Sequence, residues 1–217
     1  MRTFGFPEFL FILEAAKWTL ALSAIAFVGG AILGLIVALM RTSQSTWARG
    51  VSTTFIQVFQ GTPLLLQLFL VFFGAPVLGL DINPWVAAGV ALILNSAAFL
   101  GEIWRGCIEA IPRGQWEAAE ALSLRYTSRM RDVVLPQALK IALAPTVGYV
   151  VQIIKGTSLA AIIGFVEVTR AGQIVNNATF QPLYVFTTVA AIYFAICWPL
   201  SLMAARMERR RARALAR

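Results

Sequence analysis

Apolar residues run almost unbroken through five stretches of the chain, at about residues 18–40, 51–73, 85–104, 139–157 and 183–205. Shorter segments rich in charge, glycine and proline separate them. At about 1.5 Å of rise per residue, a helix of about 20 residues crosses a hydrocarbon core of about 30 Å. Backbone polar groups in hydrocarbon have to bond within their own segment, so the pattern predicts an all-α membrane protein, a single domain with five transmembrane helices. Ahead of the first span, Phe4, Phe6, Phe9 and Phe11 precede no small-residue cleavage site. They read as an interfacial lead-in helix started near Pro7, not as a removable signal. Residues 74–84 hold Pro76, Gly79, Asn83 and Pro84 and no Lys or Arg, as an external loop would.

The polar interruptions inside these spans mark where hydrocarbon is excluded. On one straight helix, Thr53, Gln57, Gln60 and Gln67 share an arc of about 80°. That stripe faces either a wet cavity or a neighbouring helix to which it is bonded. Asn95 and Ser96 stand near mid-depth of the third span. Thr146, Tyr149 and Gln152 recur every third residue, a step that drifts around a helix and defines no narrow face. Lys155 lies about 24 Å along a helix counted from Leu139, towards the outer leaflet, where it either snorkels to the surface or serves a pathway. Gly30 and Gly34 form a GxxxG pair suited to close helix packing with an unassigned partner. Glu102, Arg105 and Glu109 suit an ion-pair row, and Glu167 and Arg170 an i, i+3 pair.

Composition agrees with a membrane protein: 59% of the 217 residues are hydrophobic and 13% charged, and the mean hydropathy is +0.77. So few charges cannot cover a soluble globule of this size. The net charge of +8 sits beside the spans, where topology and anionic lipid headgroups explain it better than nucleic acid does. Positive residues collect at Arg41 and Arg49, from Arg105 to Lys140, and at Arg206, Arg209, Arg210, Arg211, Arg213 and Arg217. This alternation predicts an external N-terminus and a cytoplasmic C-terminus. With no His, and with Cys107 and Cys197 isolated from each other, a His-based metal site is excluded and no disulfide framework is signalled. The chain has no GxxxxGK[ST] phosphate loop and no means of building a Ser/His/Asp set, so no catalytic site and no metal or cofactor are expected in it.

One long run in the middle of the chain suits water: EAAEALSLRYTSRMRDVVLP, residues 117–136. Glu117-Ala118-Ala119 is followed by three residues, Ser123, nine residues, Val133, one residue, and Leu135-Pro136. This resembles the EAA loop of ABC importer permeases. Three further segments are similar to the polar amino-acid branch of that family: GTPLLLQ from Gly61 to Gln67, the run from Asn95 to Ser123, and KGTSLAAIIGFVEVTRAGQ from Lys155. The resemblance covers about residues 61–173. Three positions depart from the family pattern: Ser123 and Gly156 replace the usual Gly and Asp, and Gln60 replaces the usual Arg.

The resemblance implies a type I ABC importer permease in the bacterial cytoplasmic membrane that translocates a polar amino acid or an analogue such as an opine. It implies that residues 117–136 form a cytoplasmic coupling loop of two short helices, with Glu117, Ala118, Ala119, Ala121, Leu122, Ser123, Leu135 and Pro136 meeting the ATPase. ATP and Mg would bind that separate subunit. Further expected partners are a second permease copy or related permease, an external solute-binding protein and membrane lipids. Candidates for lining the substrate path are Gln57, Gln60, Thr62, Gln67, Asn95, Ser96, Gln152, Lys155, Thr157 and Ser158. The alternatives are a permease for methionine or a metal chelate, and a channel or scaffold that uses no ATP.

Overall fold

The computed structural model describes residues 3–215, with side chains described as far as residue 210. Arg2 and the terminal Arg211, Arg213 and Arg217 side chains lie outside the described residues. The described chain is helical in nearly all its length: α1 (Phe6–Arg41), α2 (Thr46–Gly61), α3 (Leu64–Val77), α4 (Pro84–Glu109), α5 (Arg113–Ala121), α6 (Tyr126–Ser128), α7 (Leu135–Gly156), α8 (Val168–Thr179) and α9 (Pro182–Leu215). Four helical stretches are long and apolar enough to span a membrane, and the bent pair α2–α3 makes five when taken as one span.

The lead-in segment is not a separate helix. Pro7 falls in the first turn of α1, where its missing N–H costs nothing, and no breaker follows before Arg41, so 36 residues form one rod. Its small residues explain its partner. A Cβ built on Gly30 would sit 2.5 Å from the Ser96 Cβ, and one on Gly101 would sit 2.8 Å from Val37. The GxxxG pair therefore seats α1 directly against α4, backbone close to backbone. Around this crossing, Leu22, Ala26, Leu68, Ala88, Leu92, Ile153 and Phe165 form the main core.

The expected 51–73 span is broken. Helices α2 and α3 meet at 101°, because Pro63 offers no N–H and holds the residue before it, Thr62, extended at φ −115°, ψ 139°. The bend is closed by Gln67, whose Nε2 donates to the carbonyls of Phe59 at 2.8 Å and Thr62 at 3.0 Å. Those are end carbonyls of α2 left without intrahelical donors. The common arc drawn for Thr53, Gln57, Gln60 and Gln67 therefore fails: Gln67 turns inward on a different helix.

The hydrophilic run is also more exact in outline than two short helices. Helix α5 ends in a Schellman turn, with Ser123 N–H donating to Glu120 O at 2.8 Å and Leu124 N–H to Ala119 O at 3.2 Å. Ser123 occupies the left-handed position at φ 56°, where glycine stands in the equivalent turns at Gly79 and Gly164. The serine keeps the glycine geometry at a cost of about 1–2 kcal/mol. Beyond α6 the helix widens into a π segment, Arg129–Val134, and passes without interruption into α7. Pro136 explains the widening, since its ring crowds the carbonyl one turn back and it has no N–H to offer.

Candidate functional site

A cavity of ≈ 410 Å³ opens between the α2–α3 corner, α4 and α7. Thr62, Asn95, Ser96, Phe99, Tyr149 and Gln152 supply its chemistry, with Leu64, Leu92 and Ile153 as apolar walls. The proline break creates its first wall by ending α2 at the cavity's edge and exposing Thr62. Asn95 Nδ2 donates to Gln67 Oε1 at 3.0 Å, Gln67 Nε2 donates to Thr62 Oγ1 at 3.0 Å, and the Tyr149 hydroxyl donates to Asn95 Oδ1 at 3.4 Å. Phe99 and Tyr149 stack with ring centroids 5.4 Å apart. This chain of amides and hydroxyls ties α2, α3, α4 and α7 together, which leaves it little freedom to reorganise. The cavity thus sets a polar patch against the apolar walls of Leu64, Leu92 and Ile153 and the faces of Phe99 and Tyr149.

Of the ten residues suggested for the path, Thr62, Asn95, Ser96 and Gln152 line this cavity, and Gln67 stands behind Asn95. Gln60 instead reaches Ala98 O on α4 at 3.4 Å, and Gln57 is exposed on α2. Lys155 is exposed, three residues beyond Gln152, and makes no ion pair among the described residues. Thr157 and Ser158 are turned back: their hydroxyls donate to Ile154 O and Lys155 O, both at 2.7 Å. Tyr149 and Phe99 were not among the candidates. The signal for Tyr149 was its i, i+3, i+4 relation to Gln152 and Ile153, which together with Tyr149 make one wall.

Glu167 does not pair with the Arg170 side chain. It is fully buried and caps α8, accepting from the N–H groups of Thr169 and Arg170 at 2.9 Å each and from the Tyr193 hydroxyl of α9 at 2.6 Å. Burial pushes its carboxyl above the usual range, against the pull of those hydrogen bonds. Val168 N–H donates to Thr19 Oγ1 of α1 at 3.3 Å, so α1, α8 and α9 are fastened at one point. Arg105 bonds Glu102 at 2.6 Å and also Glu109, as the ion-pair row expects.

In the segment 117–136, Ala119 and Val134 are buried while Glu117, Ala118, Ala121, Leu122 and Ser123 are exposed. Underneath, Ile108, Ile111, Met130, Val134 and Ala138 form a small core with Trp116, Tyr126 and Leu135 against it. Arg129 ties the turn together by bonding Glu120 at 3.3 Å and Leu124 O at 3.4 Å. The outcome is a preformed knob whose exposed surface sets Ala118, Ala121 and Leu122 among the charges of Glu117, Glu120, Arg125, Arg131 and Asp132.

A helical membrane bundle with a polar cavity at a broken span and a preformed knob at one end defines a membrane transport subunit. The family model described as "Binding-protein-dependent transport system inner membrane component" matches residues 30–213, and the chain belongs to that family. It is 35% identical over 190 residues to the "Probable amino-acid ABC transporter permease protein YckA" of Bacillus subtilis (strain 168), covering 88% of this chain and 84% of that protein. It is 37% identical over 206 residues to the "Glutamine transport system permease protein GlnP" of Escherichia coli (strain K12), covering 94% of each. The crystal structure of an amino acid ABC transporter with histidines superposes with a TM-score of 0.88 at 32% identity, covering 96% of this chain and 100% of that one. The chain thus has the type I importer permease fold.

Proposed function

We propose that the chain is the membrane-spanning subunit of an ABC importer that moves a polar amino acid or an amino-acid-like solute, such as an opine, inward across the cytoplasmic membrane. A separate ATPase, which binds ATP and Mg, docks on Glu117, Ala118, Ala119, Ala121, Leu122 and Ser123, and its closure is passed on through Leu135 and Pro136. The N-terminus is external and the C-terminus cytoplasmic, following the arginine distribution. An external solute-binding protein delivers the solute. The carrying observation is that residues Tyr126–Ile163 form one helical stretch of 38 residues, running from the knob to the cavity wall at Tyr149 and Gln152. A push at one end of such a rod reaches the other, as alternating access requires.

The open side of the cavity calls for a second permease subunit. Gln57, Gln60, Thr62, Gln152 and Lys155 are all exposed in the single chain, and amides and an ammonium do not face hydrocarbon without a partner. A second copy or a related permease covers this face, and Lys155, which makes no ion pair among the described residues, supplies the charge that attracts a solute carboxylate.

The test is uptake by proteoliposomes holding the permease, its ATPase and its binding protein, with polar amino acids as competitors. Uptake is expected to require ATP, and Lys155→Met to lower it about ten-fold, the scale of one hydrogen bond to a charged group, with assembly intact. Uptake without ATP contradicts the proposed function. Unchanged kinetics in Lys155→Met would place the lysine at the lipid surface instead.

A further inference from the structure

The last carbonyls of α1 have no intrahelical donors and need others. The corner between α1 and α2 meets that need in an unusual way. Thr42 N–H and Oγ1 serve Ala38 O at 3.1 and 3.0 Å, and Arg49 Nη1 donates back to Ser43 O at 2.9 Å and Gln44 O at 3.2 Å. The corner is thereby a rigid unit joined to the start of α2. The carbonyl of Thr42 is served from elsewhere: the Tyr126 hydroxyl donates to it at 2.9 Å, from a position 84 residues away in sequence. Tyr126 begins α6, inside the proposed coupling segment, and its ring packs on the core of Ile108, Ile111, Met130 and Val134.

We infer that Tyr126 is a positioning residue for coupling: its hydroxyl clamps the α1–α2 corner to the coupling segment, so that movement of the segment displaces α2 together with α7. This rests on the reading of residues 117–136 as the ATPase-coupling segment. The geometry adds a second route to the cavity. One route is the rod through α7 to Tyr149 and Gln152. The other enters at Thr42 and runs along α2 to Thr62, on the opposite wall of the same cavity. Near its far end α2 also reaches α4, through Gln60 to Ala98 O at 3.4 Å. With both routes engaged, the two walls move in step. With one lost, the α7 wall moves while the Thr62 wall lags, and ATP is hydrolysed without a full change of access.

The experiment uses the complete transporter in proteoliposomes and measures solute moved per ATP hydrolysed. Tyr126→Phe removes only the hydroxyl and keeps the ring in its core. The ATPase is expected to co-purify and to hydrolyse ATP, while solute moved per ATP falls about five-fold, the scale of one neutral hydrogen bond. Arg49→Met, which loosens the corner from its other side, is expected to lower the same ratio. The double variant should fall no further than the worse single one, because both changes break one linkage. A wild-type ratio in Tyr126→Phe overturns the inference, as does a loss of ATPase binding or thermal stability that accounts for the whole defect. Should Glu117→Arg release the ATPase while Tyr126→Phe couples normally, only this inference falls; should Glu117→Arg keep a working ATPase, the coupling reading beneath it falls as well.

Discussion

Glu117→Arg is expected to strip the ATPase from the permease and to lower ATP-driven uptake about 100-fold. Glu117 is exposed beside Ala118, Ala121 and Leu122, a face with little side-chain bulk that a groove can accept closely. Reversing a charge inside such an interface leaves an unpaired charge desolvated, which typically costs about 2–5 kcal/mol. The isolated permease should tolerate the change, because the Glu117 side chain lies on the surface while the segment is held from beneath by Ala119, Met130 and Val134. The measurement is co-purification of the ATPase on a tagged permease, with the thermal midpoint of the permease alone as control. A variant that retains its ATPase and full uptake would remove residues 117–136 from the coupling role.

The largest structural effect is expected at the α1–α4 crossing. Gly30→Leu should abolish recovery of folded permease from detergent, since even a Cβ there meets Ser96 Cβ at 2.5 Å and the backbone of Ser96 and Ala97 at 3.3 Å. Overpacking usually costs about 1–3 kcal/mol where side chains can shift. Backbone atoms have no rotamer to yield, so the cost here exceeds that range. Gly74→Ala is the matched control: nothing lies within 4 Å of its added methyl, it lies within α3, and a gain of up to about 1 kcal/mol in helix propensity is expected. Size-exclusion profiles and thermal midpoints of the two variants provide the comparison. Equal recovery of both would mean that α1 and α4 do not cross where the structure places them.

Features set by residue size or by polarity were legible in the sequence. Gly30 and Gly34 signalled a tight crossing, Asn95 and Ser96 a polar point at depth, and residues 117–136 a hydrophilic segment, whereas the left-handed turn at Ser123 came only from the structure. What was lost depended on direction in space. The apolar run through Leu64–Leu66 hides the break at Thr62-Pro63, because hydropathy carries no information on where a helix points. The drifting step of three from Thr146 through Tyr149 to Gln152 hid a cavity wall, since the wall uses Tyr149, Gln152 and Ile153 and Thr146 bonds Trp104 at 2.9 Å instead. Thr157 and Ser158 looked available as polar residues, yet a short hydroxyl next to a helix end readily serves a local carbonyl. Glu167 beside Arg170 read as an i, i+3 pair, and only the folded chain shows it to be a buried cap of α8 that also holds Tyr193 of α9.

A knob that receives an ATPase has to lie on the cytoplasmic side of the membrane. In a chain with Cys107 and Cys197 replaced by Ser, a single cysteine at the exposed Thr127 (Thr127→Cys) can be probed with a membrane-impermeant maleimide. Labelling is expected in inside-out vesicles, with protection when the ATPase is bound, and none in right-side-out vesicles. Ready labelling from the outer face would contradict the account.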